Sequence, residues 1–360
     1  MWKKVLIILL FLLGLTAGVL IYKYSGKTSE PVSSMPNVQG NVVKDLAHYN
    51  EPFQWGALMR PYALGSENYP QSWEEQIAIA KQLGIGWGRV NWESDSTLER
   101  NDDIVNRLLK QNMNIVLVIE KATDSPDDYQ SGYNDGVKIA TRYKGKIRFY
   151  QLMNEISAQV TNSATSGGQK ESDYDEAKYQ KVTAYLKGLS DGITKADSNA
   201  WMIVPIAYTQ TGFIDKILQD NIKFDIIGVD WYDWAGNIAT KKMDDGTLYS
   251  NKLKSYNKPI MFMEVNAVPT SADGSERKTI VDEQKQSDFI SQIATWAYQN
   301  KDLVKGFYVH ELIDNVSNTQ NNYQLFGIYT ATKVPDQPGV LGAPRQAFKT
   351  YQALIKKFSK

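Results

Sequence analysis

Two glutamates occupy the same kind of local setting. In Phe149-Tyr150-Gln151-Leu152-Met153-Asn154-Glu155-Ile156-Ser157 an apolar run climbs to a polar pair and then breaks into a Ser/Thr/Gly/Asn-rich stretch. In Pro259-Ile260-Met261-Phe262-Met263-Glu264-Val265-Asn266 a second buried-looking run delivers one carboxylate. Each reads as a parallel strand covered on both faces, ending at the rim of a site. Two carboxyls about 5–5.5 Å apart can open a glycosidic bond through a covalent sugar ester. One must then be protonated and the other ionised, so their surroundings must push their pKa values apart.

Supporting groups are found at other strand ends. Arg89, in Gly86-Trp87-Gly88-Arg89-Val90-Asn91-Trp92, is placed to keep Glu264 charged. Tyr232, in Gly228-Val229-Asp230-Trp231-Tyr232-Asp233-Trp234, is placed to donate to the same carboxylate. Asn154 is placed to hold a sugar 2-hydroxyl, and Trp231 and Trp234 to stack on pyranose faces. Against these stand plainer readings. Asn154 is also a good helix cap, the tryptophans also suit a packed rim, and Trp87 and Trp92 suit the core. Glu120 and Glu311 are expected to pair with nearby lysines, and His310 to be a satisfied rim histidine.

The elements that must position these residues alternate. Candidate strands are Phe53–Leu58, Gly86–Val90, Asn114–Ile119, Ile147–Met153, Trp201–Ile206, Phe224–Val229, Pro259–Met263 and Val304–Val309. Helical patterns lie between many of them: a capping box at Ser72-Trp73-Glu74-Glu75 with Gly84 as the stop, then Asp103–Lys110, Tyr179–Ile193, a short Gly212–Asp220, Glu283–Tyr298 and Pro344–Lys356. Eight strand–helix units predict an α/β fold, a (β/α)₈ barrel over residues 51–360. The interval from Glu155 to Glu264 holds three units of about 36 residues, which puts both carboxylates at one barrel mouth.

Composition sets the outer limits. The 360-residue chain has a formal net charge of zero and 42% hydrophobic residues, enough for a large core. Zero net charge argues against a nucleic-acid partner. With no cysteine and two histidines, His48 and His310, the chain has no thiol chemistry and too few ligands for a His-rich metal site. No metal and no cofactor are expected, and Gly167-Gly168 lacks the Lys-Ser/Thr of a phosphate loop. Lys3 and Lys4 followed by the apolar run Val5–Ile21 read as a signal anchor over residues 1–24, with residues 25–50 as a flexible linker. The expected location is a single-pass cell membrane protein with an extracytoplasmic domain, or a secreted one if the segment is cleaved after a site such as Thr16-Ala17-Gly18. A monomer acting on a polysaccharide or oligosaccharide is expected.

Taken together, an Asn-Glu pair ending strand four, a Glu ending strand seven, an Arg on strand two and a Tyr on strand six resemble the retaining glycoside hydrolases of clan A. The nearest pattern is that of family 39-like bacterial endoglycosidases of secreted exopolysaccharide. The resemblance runs from Trp55 to Leu354. It includes Phe224-Asp225-Ile226-Ile227-Gly228, Pro259-Ile260, Asp282-Glu283-Gln284, Gly306-Phe307-Tyr308-Val309-His310-Glu311-Leu312-Ile313-Asp314 and Leu325-Phe326-Gly327-Ile328. It implies Glu155 as acid/base and Glu264 as nucleophile. The chain departs from it at Ile156, where relatives often carry proline, and at Asp230-Trp231-Tyr232, where they often carry His-Pro-Tyr. These differences bear on substrate. A transglycosylase or a non-catalytic carbohydrate-binding or assembly factor would share the fold, as would an unrelated barrel enzyme using phosphate or metal.

Overall fold

The computed structural model describes residues 44–60, 69–92, 98–121, 128–163, 167–267, 270–271, 279–315, 325–332 and 339–359. The expected anchor and the linker up to residue 43 lie outside these residues. Among the described residues no helix is long and apolar enough to cross a membrane.

Eight strands close into a parallel barrel: β1 (Gln54–Leu58), β2 (Trp87–Trp92), β3 (Asn114–Ile119), β4 (Phe149–Leu152), β5 (Trp201–Ala207), β6 (Ile226–Tyr232), β7 (Ile260–Asn266) and β8 (Val304–Val309). Neighbours follow sequence order, and β8 returns to β1. Around them lie α1 (Tyr69–Leu83), α2 (Leu98–Lys110), α3 (Tyr129–Tyr143), α4 (Glu176–Ala196), α5 (Thr211–Gln219), α6 (Tyr249–Ser255), α7 (Glu283–Gln299) and α8 (Gln346–Phe358). The (β/α)₈ expectation holds.

The boundaries differ where physical context overrides pattern. Helix α1 starts at Tyr69, so Ser72 lies inside it and the expected capping box is not its start; Pro70 suits a first turn, where its missing N–H costs nothing. Strands β6 and β7 run three residues past their apolar cores and carry Asp230, Tyr232, Glu264 and Asn266 into the mouth. Pro344 closes a short antiparallel hairpin, Tyr329–Thr332 with Val340–Pro344, instead of opening a helix.

Helix α3 was not expected, because its two glycines lower helix propensity. Those glycines are what seat it. A Cβ on Gly132 would meet the Tyr185 carbonyl at 2.1 Å, and one on Gly136 the Leu189 carbonyl at 2.4 Å. From α4, Gly188 and Gly192 answer against the Tyr129 and Tyr133 carbonyls at 2.0 and 2.3 Å. Two four-residue glycine spacings thus bring two helix backbones into direct contact. Aspartates cap both helices: Asp128 accepts from the Ser131 amide and Asp175 from the Lys178 amide.

Two apolar layers result. One lies between strands and helices. The other fills the barrel with Val116, Phe149, Trp201, Ile203, Ile226, Met261, Met263 and Tyr308. Tyr49 plugs the floor: its ring lies 5.1 Å from Trp201 and its hydroxyl accepts from Gln54. Residues 44–50, expected in the linker, are therefore part of the fold. Lys44 donates from its amide to Asp225 and from Nζ to the Ala200 carbonyl, both just before strands.

The helix contact makes a prediction. Gly188→Ala should lower the unfolding free energy by about 1–3 kcal/mol through overpacking. Gly86→Ala, at a position with nothing within 4 Å, should change it by a few tenths. Denaturant midpoints at equal slope would check both.

Candidate active site

Arg89 sits inside the mouth, 2% exposed. Each of its three nitrogen positions has one partner. Nη1 donates to Glu264 Oε1 at 2.8 Å, Nη2 to Asn154 Oδ1 at 2.7 Å, and Nε to Gln151 Oε1 at 2.7 Å. Gln151 returns its own amide to Asn154 Oδ1 at 2.9 Å. One guanidinium thereby ties β2 to β4 and β7.

Regular strands do not allow this, because side chains alternate between faces. Two irregularities do. Residues Gln151 and Asn154 are three apart, yet both reach Arg89; the left-handed backbone of Met153 (φ 62°) turns the chain between them. Glu155 is left-handed too (φ 43°), at the start of the short helix Ile156–Gln159. Such conformations cost about 1–3 kcal/mol each in non-glycine residues and concentrate at functional sites. On β7 the pairing with β6 slips: Val229 faces Phe262, but Asp230 faces Glu264. The extra residue is Met263, whose side chain fills the barrel interior, so its neighbour Glu264 can turn inward as well. Bulges re-aim side chains in this way beside active sites.

Glu264 is 6% exposed. Besides Arg89, it accepts from the Tyr232 hydroxyl at Oε2, 2.6 Å. His310 Nδ1 approaches Oε2 to 3.0 Å, an ion-pair distance. Burial by itself would raise this carboxyl; His310, Arg89 and the Tyr232 hydroxyl outweigh it and hold Glu264 well below the ordinary carboxylate range. Glu155 goes the other way. Burial first, then the negative charge of Glu264, push it up to about 8, against the pull of Arg89. The two carboxyls are thus pushed in opposite directions, Glu264 toward the ionised form and Glu155 toward the protonated one.

Asn154 Oδ1 accepts from both Arg89 and Gln151, which fixes the amide orientation and leaves Nδ2 with no partner among the described residues. Asn154 does not cap the short helix, whose cap position is Glu155. Trp234 is 51% exposed beside Tyr208, ring centroids 4.9 Å apart. Trp231 corrects the sequence reading: it is fully buried, stacked on Tyr249 at 5.3 Å, with Nε1 donating to the Gly236 carbonyl. It braces the rim and offers no face to a sugar. Trp92 packs in the core, and Trp87 packs against the interior cluster with its ring edge-on to Phe149.

Three residues gain importance over the sequence reading. His310 touches the candidate nucleophile. Glu120, just after β3, is pushed up to about 7 by burial, with Arg89 opposing and Glu264 adding to the rise. Asp230 is 1% exposed next to the same carboxyls. The signal available for all three was position at a barrel strand's carboxyl end. Glu311 behaves as the plain reading expects, in an ion pair, though with Arg60 at 2.6 Å instead of a lysine. Among the described residues no group of histidine and carboxylate side chains could hold a metal ion.

Comparisons with known proteins agree with this geometry. Three solved structures of β-glucosidase from Thermotoga maritima share the fold. The family 1 enzyme has 13% identity and a TM-score of 0.59, covering 87% of this chain and 99% of its own. Its azafagomine complex has 14% identity and a TM-score of 0.59, covering 86% and 98%. Its isofagomine lactam complex has 12% identity and a TM-score of 0.60, covering 88% and 99%. No curated protein sequence matches. The model of glycosyl hydrolase family 53 matches residues 144–330, more than half of the chain and a span that includes both glutamates. This chain is a glycoside hydrolase of clan A and belongs to glycosyl hydrolase family 53.

Proposed function

We propose that the chain hydrolyses β-glycosidic bonds by double displacement with retention, with Glu264 as nucleophile and Glu155 as acid/base. The observation that carries this is Glu264 clamped by Arg89 and Tyr232 at the end of one barrel strand, with Glu155 following another and pushed toward its protonated form by burial and the Glu264 charge. In the first step a Glu264 oxygen bonds to the anomeric carbon while the bond to the leaving oxygen breaks. Glu155 gives its proton to that oxygen, and the alcohol departs. In the second, Glu155 takes a proton from water, the water oxygen attacks the anomeric carbon, and the ester to Glu264 breaks. Two inversions return the original configuration. The free Asn154 amide donates to the sugar 2-hydroxyl oxygen, and exposed Trp234 supplies a stacking face.

The substrate class follows from three supports. The β linkage is that of the β-glucosidases sharing the fold. The likeness to family 39-type endoglycosidases points to secreted or cell-surface polysaccharide and to internal cleavage. The floor gives the third. Residue 44 enters at the amino-terminal ends of the strands, opposite the glutamates. An apolar segment holding the amino terminus in a membrane would therefore leave the mouth facing outward, toward such a polymer.

Two outcomes test the roles. Glu264→Gln should abolish turnover of every glycoside, while Glu155→Gln should lower kcat by about 10²–10⁴ on polysaccharide and much less on aryl glycosides whose leaving group needs no proton. Oligosaccharide release from a panel of β-linked polysaccharides measures both, and full activity in Glu264→Gln would remove the assigned nucleophile.

The pH dependence has a definite sign. The reaction needs Glu155 protonated, so kcat/KM on polysaccharide should fall as pH rises through about 8. It needs Glu264 ionised, and that carboxyl lies well below its usual range, so the acid limb should fall below the ordinary glutamate value. A pH–rate profile with the two limbs reversed in assignment, Glu155→Gln removing the acid limb, would contradict this.

A further inference from the structure

A second pair of charges sits at the mouth and has no part in the two displacement steps. Arg60 follows β1 and Glu311 follows β8, neighbouring strands of the barrel. The Leu312 amide donates to the Leu58 carbonyl at 3.0 Å and ties the two strand exits together. Glu311 is the next residue after His310, whose Nδ1 lies 3.0 Å from Glu264 Oε2. The pair therefore stands beside the nucleophile.

Both partners are held in place by the fold. Gln76 on α1, fully buried, grips both backbone groups of Arg60: the Arg60 amide donates to Gln76 Oε1 at 3.0 Å, and Gln76 Nε2 donates to the Arg60 carbonyl at 2.6 Å. Arg60 Nε then donates to Glu311 Oε2 at 2.6 Å. The Glu311 side chain is 3% exposed and that of Arg60 36%. A carboxylate so buried needs its cation, and the planar guanidinium is thereby fixed in one orientation. This single contact uses only part of what each group offers. Arg60 Nη1 and Nη2 and Glu311 Oε1 have no hydrogen-bond partner among the described residues, and none of the three is sealed from water. Arg89, by contrast, has all three nitrogen positions engaged.

Barrel order sets which part of a substrate lies there. β8 and β1 stand across from β4 and β5. Under the proposed mechanism Glu155, after β4, meets the leaving oxygen, so the departing part lies toward β4. The retained sugar, bonded to Glu264 on β7, lies toward β8 and β1. The chemistry of the pair then selects what it holds. A guanidinium only donates and a carboxylate only accepts. Together they are electrically neutral, and an acid group placed there would face the carboxylates of Glu311 and Glu264. A hydroxyl suits both partners: its oxygen accepts from Arg60 and its proton goes to Glu311.

We propose that Arg60 and Glu311 form a specificity site for one free hydroxyl of the retained sugar, other than the 2-hydroxyl assigned to Asn154. This rests on Glu264 as the nucleophile. A sugar whose hydroxyl at that position is missing, acylated or replaced by an acid leaves the charged pair short of a partner and is rejected.

Removing one hydroxyl at a time tests this. 4-Nitrophenyl β-glucoside and β-galactoside are compared with forms lacking the hydroxyl at C3, C4 or C6. In the native chain one of these losses should lower kcat/KM by about 10–10²-fold, as for a hydrogen bond to a charged group. In Arg60→Met/Glu311→Met, which replaces both partners by apolar groups of similar shape, that penalty should shrink to about twofold. Arg60→Lys keeps a cation for Glu311 without the fork; it should show part of the same shrinkage and covers the case of a double variant that does not fold. A purely structural ion pair would slow every substrate alike and leave the penalty unchanged. That result, or a native chain with no such penalty, overturns the proposal. Turnover of neither parent glycoside would instead sink the hydrolase reading. Binding of methyl β-glucoside, methyl β-galactoside and their deoxy forms to Glu264→Gln, read by saturation-transfer NMR, then decides: loss of binding with one hydroxyl supports the site, and equal binding or none overturns it.

Discussion

A single buried guanidinium organises the mouth of this barrel. Taking a charge out of water costs several kcal/mol, and only full pairing repays it. Arg89 is paired completely: a carboxylate on β7 and two amide oxygens presented from β4 and its exit turn. A lysine could not do this, because its ammonium lacks the planar fork that reaches three strands at fixed angles. Every other feature of the site follows from that geometry. Glu264 stays ionised because its charge is compensated. Glu155 is pushed toward its protonated form by burial and by the charge of Glu264, with Arg89 opposing. Asp230 and Glu120 are also pushed up, chiefly by burial and by the charge of Glu264, with Arg89 opposing.

The backbone bends to serve this arrangement. Left-handed residues at Met153 and Glu155 and the slipped register at Glu264 break the alternation that packs the rest of the barrel. Their cost is borne by an interior filled with Val116, Phe149, Ile203, Met261 and Met263 and closed from below by Tyr49. The fold thus separates its tasks along the strands: apolar packing at the floor, irregular backbone and opposed charges at the top.

That division also explains what could be read from the sequence. The strands were legible because a parallel sheet covered on both faces needs continuous apolar runs. Glu155, Glu264, Arg89 and Tyr232 were legible because each closes such a run. Less visible were the exits of β6 and β7, since polar side chains at a barrel mouth look like the start of a loop. Helix α3 was hidden because its glycines, poor in a lone helix, are chosen for contact with α4. Trp231 misled because alternation alone does not say which side of a barrel strand a rim residue faces; its even neighbours, Asp230 and Tyr232, turn inward, so it turns out toward Tyr249. His310 was undervalued because its importance comes from a strand neighbour far away in the chain.

The hydrogen-bond polarity around Asn154 limits what a ligand can present there. Its Oδ1 takes two donors, from Arg89 and Gln151, so the amide cannot flip without losing both and placing its own donors against a guanidinium. Only N–H remains for a ligand, so the ligand atom there must accept. Glu264 offers no donor either while it is ionised. Under the proposed mechanism, a sugar hydroxyl lying between the two would give its proton toward the carboxylate and its lone pair to the amide. As positive charge developed at the anomeric carbon that hydroxyl would become more acidic, and both contacts would strengthen together. The arginine thus acts twice in this site, once by keeping Glu264 ionised and once by deciding which face of the Asn154 amide is left for a ligand.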